Sequence, residues 1–184
     1  MPTGQTSVHS EDKRARRSRE AIVGATIRLV SRAGSEVSVA EIAHEAGVSR
    51  RAVYLNYETR DNVLLASVAH LLRSAFPEHD ISAARGDGDE PPELLRDLAG
   101  HLLAHRDFYA TVLTGPSAHH VQRHVLDTFA PDVAGIMGTD RPDHDIHFVM
   151  YGIIGLCTEA LTTAGPTDAE AVAATIWCTL RRIR

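Results

Sequence analysis

The chain has little of what marks the non-globular and exported classes. Its 184 residues include only two cysteines, Cys157 and Cys178, and no Cys-x-x-Cys pair, so neither a disulfide framework nor a thiolate zinc site is indicated. No run of about 18 apolar residues occurs, which excludes a spanning helix. The first twenty residues are polar and basic and lack the apolar stretch of a secretory signal, so a cytoplasmic protein without membrane contact is expected. No segment alternates convincingly with period two, and strands are not expected. What remains is an ordinary globular composition, 43% hydrophobic and 23% charged, in a chain long enough for one large domain or two small ones.

Charge is distributed unevenly. Residues 1–60 carry ten Lys and Arg against seven Asp and Glu, net +3, whereas residues 61–184 carry nine against seventeen, net −8. A basic front on an acidic body suggests that the front meets a polyanion, although a basic cluster is often only solvated surface.

Apolar spacing predicts helices throughout. Ile22, Ala25, Leu29, Val30 and Ala33 recur at three- and four-residue steps in a helix over 13–33 that stops at Gly34. Ser38 stands three residues before Glu41 as a capping box for a helix over 39–46, which ends at Gly47. Ser49 caps a helix over 50–57, and Thr59 caps another whose buried stripe is Val63, Leu64, Val68, Leu71 and Leu72. Pro77 ends that run, and 82–92 reads as a mobile loop. Further helices are expected over 92–105, 107–113, 118–129, 143–163 and 168–183, with a turn at Arg141 and Pro142. The fold class is all-α, with 1–12 a disordered tail, 13–60 an N-terminal three-helix domain and 61–184 a helical regulatory body.

The two short helices around Gly47-Val48-Ser49 have helix-turn-helix spacing. Ala43 is small where the helices cross, Gly47 permits the turn, and Ile42, Val48 and Val53 fill the wedge. A plain helical hairpin shares these features. The exposed face of the second helix, with Arg50, Arg51, Tyr54, Asn56 and Tyr57, is what a DNA reader needs.

The run VSVAEIAHEAGVSRRAVYLNYETRDNVLLASV, preceded by REAIVGATIRLVSRAG, resembles the DNA-binding domain of TetR-type (tetracycline-repressor-like) bacterial regulators over about residues 18–70. The most distinctive piece is Val-Ser-x-x-x-Val-Tyr-x-x-Tyr at 48–57, followed by Arg-Asp-x-x-Leu-Leu. Asn56-Tyr57 departs from the family's usual His or Tyr followed by Phe. The resemblance implies that Arg50 and Arg51 open a recognition helix and contact base edges, where an arginine grips guanine with two hydrogen bonds. It implies that Ser38, Ser49, Tyr54, Asn56, Tyr57 and Arg60 hold phosphates, with packing against the first helix an equal reading for Tyr57. Arg14, Arg16 and Arg17 form a basic arm that follows phosphates, enters the minor groove or is merely solvated.

In the body, Ser117 lacks the glycine two residues on that a nucleophile elbow needs, which counts against a hydrolase. His101 with His105, and His120 with His124, are four apart on helices, a spacing that arises readily among eleven histidines. Neither a metal nor another cofactor is expected. Val149, Ile153, Leu156, Ile176, Trp177 and Leu180 exceed what one small domain hides and suggest a homodimer through the last two helices, as the resemblance also implies. His105, Phe108, Tyr109, Val112, Phe129 and Tyr151 are taken as an apolar effector pocket, against the simpler reading of core. The expectation is a homodimeric, ligand-released repressor of a palindromic operator on double-stranded DNA. The alternative is a helical metal-binding protein or enzyme that keeps the hairpin as structure.

Overall fold

The computed structural model describes residues 5–35, 37–76, 88–137, 143–164 and 168–183, and these form nine α-helices and no strand. The first four are α1 (Gln5–Ala33), α2 (Val39–Glu45), α3 (Arg50–Tyr57) and α4 (Arg60–Ala75). The capping box forms as its spacing predicts: Ser38 Oγ accepts from the Glu41 amide at 3.2 Å, and Glu41 Oε2 accepts from the Ser38 amide at 2.7 Å. Ser49 caps α3 and Thr59 caps α4 in the same way, each at 3.1 Å. Gly47 turns the chain between α2 and α3 at φ +66°, a left-handed conformation that a Cβ would strain.

The link from α3 to α4 is sharper. Glu58 takes φ +60° and ψ −46°, and the Thr59 amide reaches back to the Tyr57 carbonyl at 2.6 Å. This is a three-residue turn of the strained, positive-φ kind, and it occurs where α3 ends.

The body consists of α5 (Glu93–Ala104), α6 (Arg106–Thr114), α7 (Ala118–Met137), α8 (Asp143–Thr162) and α9 (Ala169–Ile183). One buried apolar cluster runs from Ile22, Ile42, Val53 and Val63 through Phe108 and Val112 to Ile176 and Trp177. A smaller one joins Leu126, Ile146 and Met150.

Three expectations need correction. Residues 5–12 belong to α1 rather than to a disordered tail, because apolar periodicity marks only a helix's buried face and is blind to an extension of mostly polar sequence. Helix α7 continues past Phe129 through Pro131, since Val133 and Ala134 still pack on the smaller cluster and outweigh the single amide that proline removes. Finally, Val149, Ile176, Trp177 and Leu180 are buried within one chain, where α9 lies on α5 and α8 packs on α6 and α7. Trp177 is 2% exposed, and its Nε1 donates to the Gly88 carbonyl at 3.2 Å. Ile153 and Leu156 are half-buried against the same core. The excess apolar surface lies instead on one face of α8, where Phe148 is 74% and Tyr151 42% exposed beside Gly152 and Gly155. The expected loop over 82–92 falls largely, and the turn at Arg141 and Pro142 wholly, outside the described residues.

Candidate nucleic-acid interface

Helix α3 is two-sided. Val53 is buried in the core and Tyr57 is half-buried against it, so the opposite arc of Arg50, Arg51, Tyr54 and Leu55 faces outward. These four residues line one shallow concave surface. The arc is presented rigidly because α2 is tied to α1: Glu45 accepts from Arg28 Nε at 3.1 Å and from Arg32 Nη2 at 3.0 Å. Those two guanidinium groups hold the Glu45 carboxyl below the ordinary carboxylate range. The Ser38 amide does the same for Glu41.

Ser38 and Ser49 spend an oxygen lone pair on their caps, which leaves each hydroxyl hydrogen available to an anion. Tyr54 is 52% exposed. Three other residues expected on phosphates are engaged elsewhere. Asn56 Nδ2 donates to the Ala52 carbonyl at 2.8 Å while its Oδ1 accepts from Arg19 Nε at 3.3 Å. The Tyr57 hydroxyl donates to the Arg19 carbonyl at 3.3 Å, and burial pushes its ionisation upward. Both side chains brace α3 on α1.

Arg60 points into the seam between α4 and the α6–α7 turn. Its Nη2 donates to Ser117 Oγ at 2.9 Å and to Asp61 Oδ1 at 3.2 Å. Ser117 Oγ, almost buried, donates in turn to Asp61 Oδ1 at 2.7 Å. That hydrogen bond foremost, together with the Arg60 guanidinium, holds Asp61 below the ordinary carboxylate range. Arg60 thus ties the start of α4 to the α6–α7 turn. Sequence spacing had no means of finding its partner 57 positions away.

Arg14, Arg16 and Arg17 are exposed on the first half of α1, with Arg16 Nε 3.7 Å from Glu20. Sequence reasoning also missed Leu55, 73% exposed at the edge of the arginine-bearing arc. The signal was its position four residues after Arg51, off the buried stripe.

The six residues taken as an effector pocket do not converge. Phe108, Tyr109 and Val112 are core, Phe129 is half-buried on the smaller cluster, and Tyr151 is on the surface. His105 stands beside His101, ring centres 4.9 Å apart, and His101 Nε2 is 2.9 Å from the Tyr109 hydroxyl. Burial, with His105 nearby, lowers the His101 pKa, and burial raises that of Tyr109. The Cys157 thiol is pushed up to about 12 by burial, which suits a packing role and not a reactive thiolate. A cavity of about 290 Å³ does exist, but between α1, α4 and α6, among Val30, Val37, Leu64, Val112, Arg60 and Ser117. Among the described residues, no three His, Cys, Asp or Glu side chains are grouped to hold a metal ion, and no helix is long and apolar enough to cross a membrane.

Residues 22–67 match the family model for bacterial regulatory proteins of the tetR family. A segment of 76 residues is 40% identical to the HTH-type transcriptional regulator BetI of Brucella anthropi and 38% identical to that of Brucella canis. These matches cover 41% of this chain but only 38% and 37% of those proteins, well under two thirds of the length of the curated relatives. A crystal structure of multidrug binding protein EbrR complexed with imidazole superposes with a TM-score of 0.53 over 90% of this chain and 93% of that one, at 21% identity, so the all-helical fold is shared over nearly the whole length. The capped hairpin, the glycine turn and the outward arginine arc all lie in the segment that matches the tetR family of bacterial regulatory proteins.

Proposed function

We propose that the chain is a sequence-specific DNA-binding transcriptional regulator, acting as a homodimeric repressor released by a small ligand. The observation that carries this reading is the outward arc of α3, with Arg50 and Arg51 exposed at its start while the opposite side is locked into the core. Residues 13–60 serve as the DNA-binding head and 61–184 as the body. Arg50 and Arg51 read base edges, Ser38, Ser49 and Tyr54 hold phosphates, and the arginines of α1 follow the backbone. Asn56, Tyr57 and Arg60 act indirectly, by fixing the angle of α3 and its link to the body.

Two copies joined across the Phe148, Tyr151, Gly152 and Gly155 face of α8 would place two recognition helices about a two-fold axis, which matches a palindromic operator. The seam cavity touches α1, α4 and α6, so an apolar molecule of modest size seated there favours one head position over another. DNA release then follows by linkage, with no chemistry on the ligand.

The test is selection of a duplex from a random pool, followed by binding measurements across salt with Arg50→Ala and Arg51→Ala. Each is expected to weaken binding by about 1–3 kcal/mol per half-site and to relax preference at one base pair. Uniform weakening over all sequences would move that arginine to the phosphates. A salt-insensitive, sequence-indifferent wild type would remove the reading itself.

A further inference from the structure

Leu55 is the anomaly of the α3 arc. It is 73% exposed, it contributes nothing to the core, and it lies one helical turn after Arg51 on the same face. Beside it, Arg50 and Arg51 have no carboxylate partner among the described residues, and all three side chains share one shallow concavity with Tyr54. An apolar protein surface docking on Leu55 would have to strip water from two uncompensated guanidinium groups. A polyanion neutralises them. The occupant that satisfies both the arginines and the leucine is therefore one that is anionic outside and carries an isolated apolar group within, and the major groove offers one such group, the C5-methyl of thymine.

We propose that Leu55 reads a pyrimidine C5-methyl group in the major groove, so that operator preference at one position depends on shape and burial and not on hydrogen bonding. This rests on the DNA-binding reading of α3. Leu55 lies one helical turn, about 6 Å, along α3 from Arg51, a separation at which side chains of a groove-bound helix reach neighbouring base pairs. The methyl thus lies close to the base that Arg51 contacts. Tyr54 is less suited to this role, because its hydroxyl requires a polar partner at the same depth.

The experiment replaces each thymine of the duplex selected by the full chain, one at a time, with deoxyuridine, which removes only the methyl group. At one position per half-site the wild-type chain should bind about fourfold more weakly, the effect of exposing one methyl that was buried. At that position 5-methylcytosine should be preferred over cytosine by a similar factor, which separates methyl reading from base-pair identity. Both differences should vanish in Leu55→Ala, whose substitution at an exposed helical site leaves the melting temperature and the response to Arg50→Ala unchanged. Equal binding of thymine and uracil at every position overturns the proposal without need of any variant, and so does a methyl effect that persists in Leu55→Ala. Failure to retain any duplex would fall on the DNA-binding reading first and take this inference with it.

Discussion

Removing one hydroxyl, in Ser117→Ala, tests how the α6–α7 turn grips the start of α4. Ser117 Oγ donates to Asp61 Oδ1 at 2.7 Å and accepts from Arg60 Nη2 at 2.9 Å, so one atom joins the α6–α7 turn to the start of α4. A hydrogen bond to a charged partner contributes about 1.5–3 kcal/mol, and screening of the Asp61 side chain, 35% exposed, reduces this to about 1–2 kcal/mol. The pH dependence has a definite sign. Folding lowers the Asp61 pKa, so the native state releases this proton more readily than the unfolded chain. Its contribution is complete above the unfolded value of about 3.9 and is lost as the pH falls through the lower native value. Urea unfolding of wild type and variant at neutral pH should therefore differ by about 1–2 kcal/mol, and the gap should shrink progressively below about pH 4. A pH-independent difference would mean that Ser117 matters only as packing, and a difference under about 0.3 kcal/mol would show that the seam is not held at this point.

Two further outcomes follow from exposed or strained positions. Phe148→Glu should leave the melting temperature of the fold nearly unchanged, because the side chain is 74% exposed in one chain, yet give monomers in sedimentation and weaken operator binding; an unchanged assembly would place the two-fold contact elsewhere. Glu58→Gly should stabilise the chain by about 1 kcal/mol, since relief of the positive-φ strain exceeds glycine's added entropy in the unfolded state; destabilisation in urea would show that the turn is not strained.

What the sequence determined by itself was local. Ser38, Glu41, Ser49 and Thr59 are hydrogen-bonded caps at the positions their spacing predicts, because a cap is settled within four residues of chain. The turn at Gly47, the burial of Ile42, Ala43 and Val53, and the exposure of Arg50 and Arg51 were legible for the same reason. Helix length was less so: α1 and α7 both overrun their predicted limits, since neither a mostly polar extension nor a tolerated proline alters the apolar repeat. The tertiary structure alone decided which polar groups are already occupied. Asn56 and Tyr57 turn to Arg19, 37 and 38 positions away, and Arg60 to Ser117, so residue types suited to phosphate became braces. It also decided which apolar side chains are left over. Ile176 and Trp177 are hidden because α5, about eighty residues earlier in the chain, lies across α9, while among the described residues no helix covers Phe148 or Leu55. Periodicity shows that a helix has an apolar face, but whether that face meets its own chain or another molecule depends on contacts between segments far apart in sequence, and those exist only once the helices have packed.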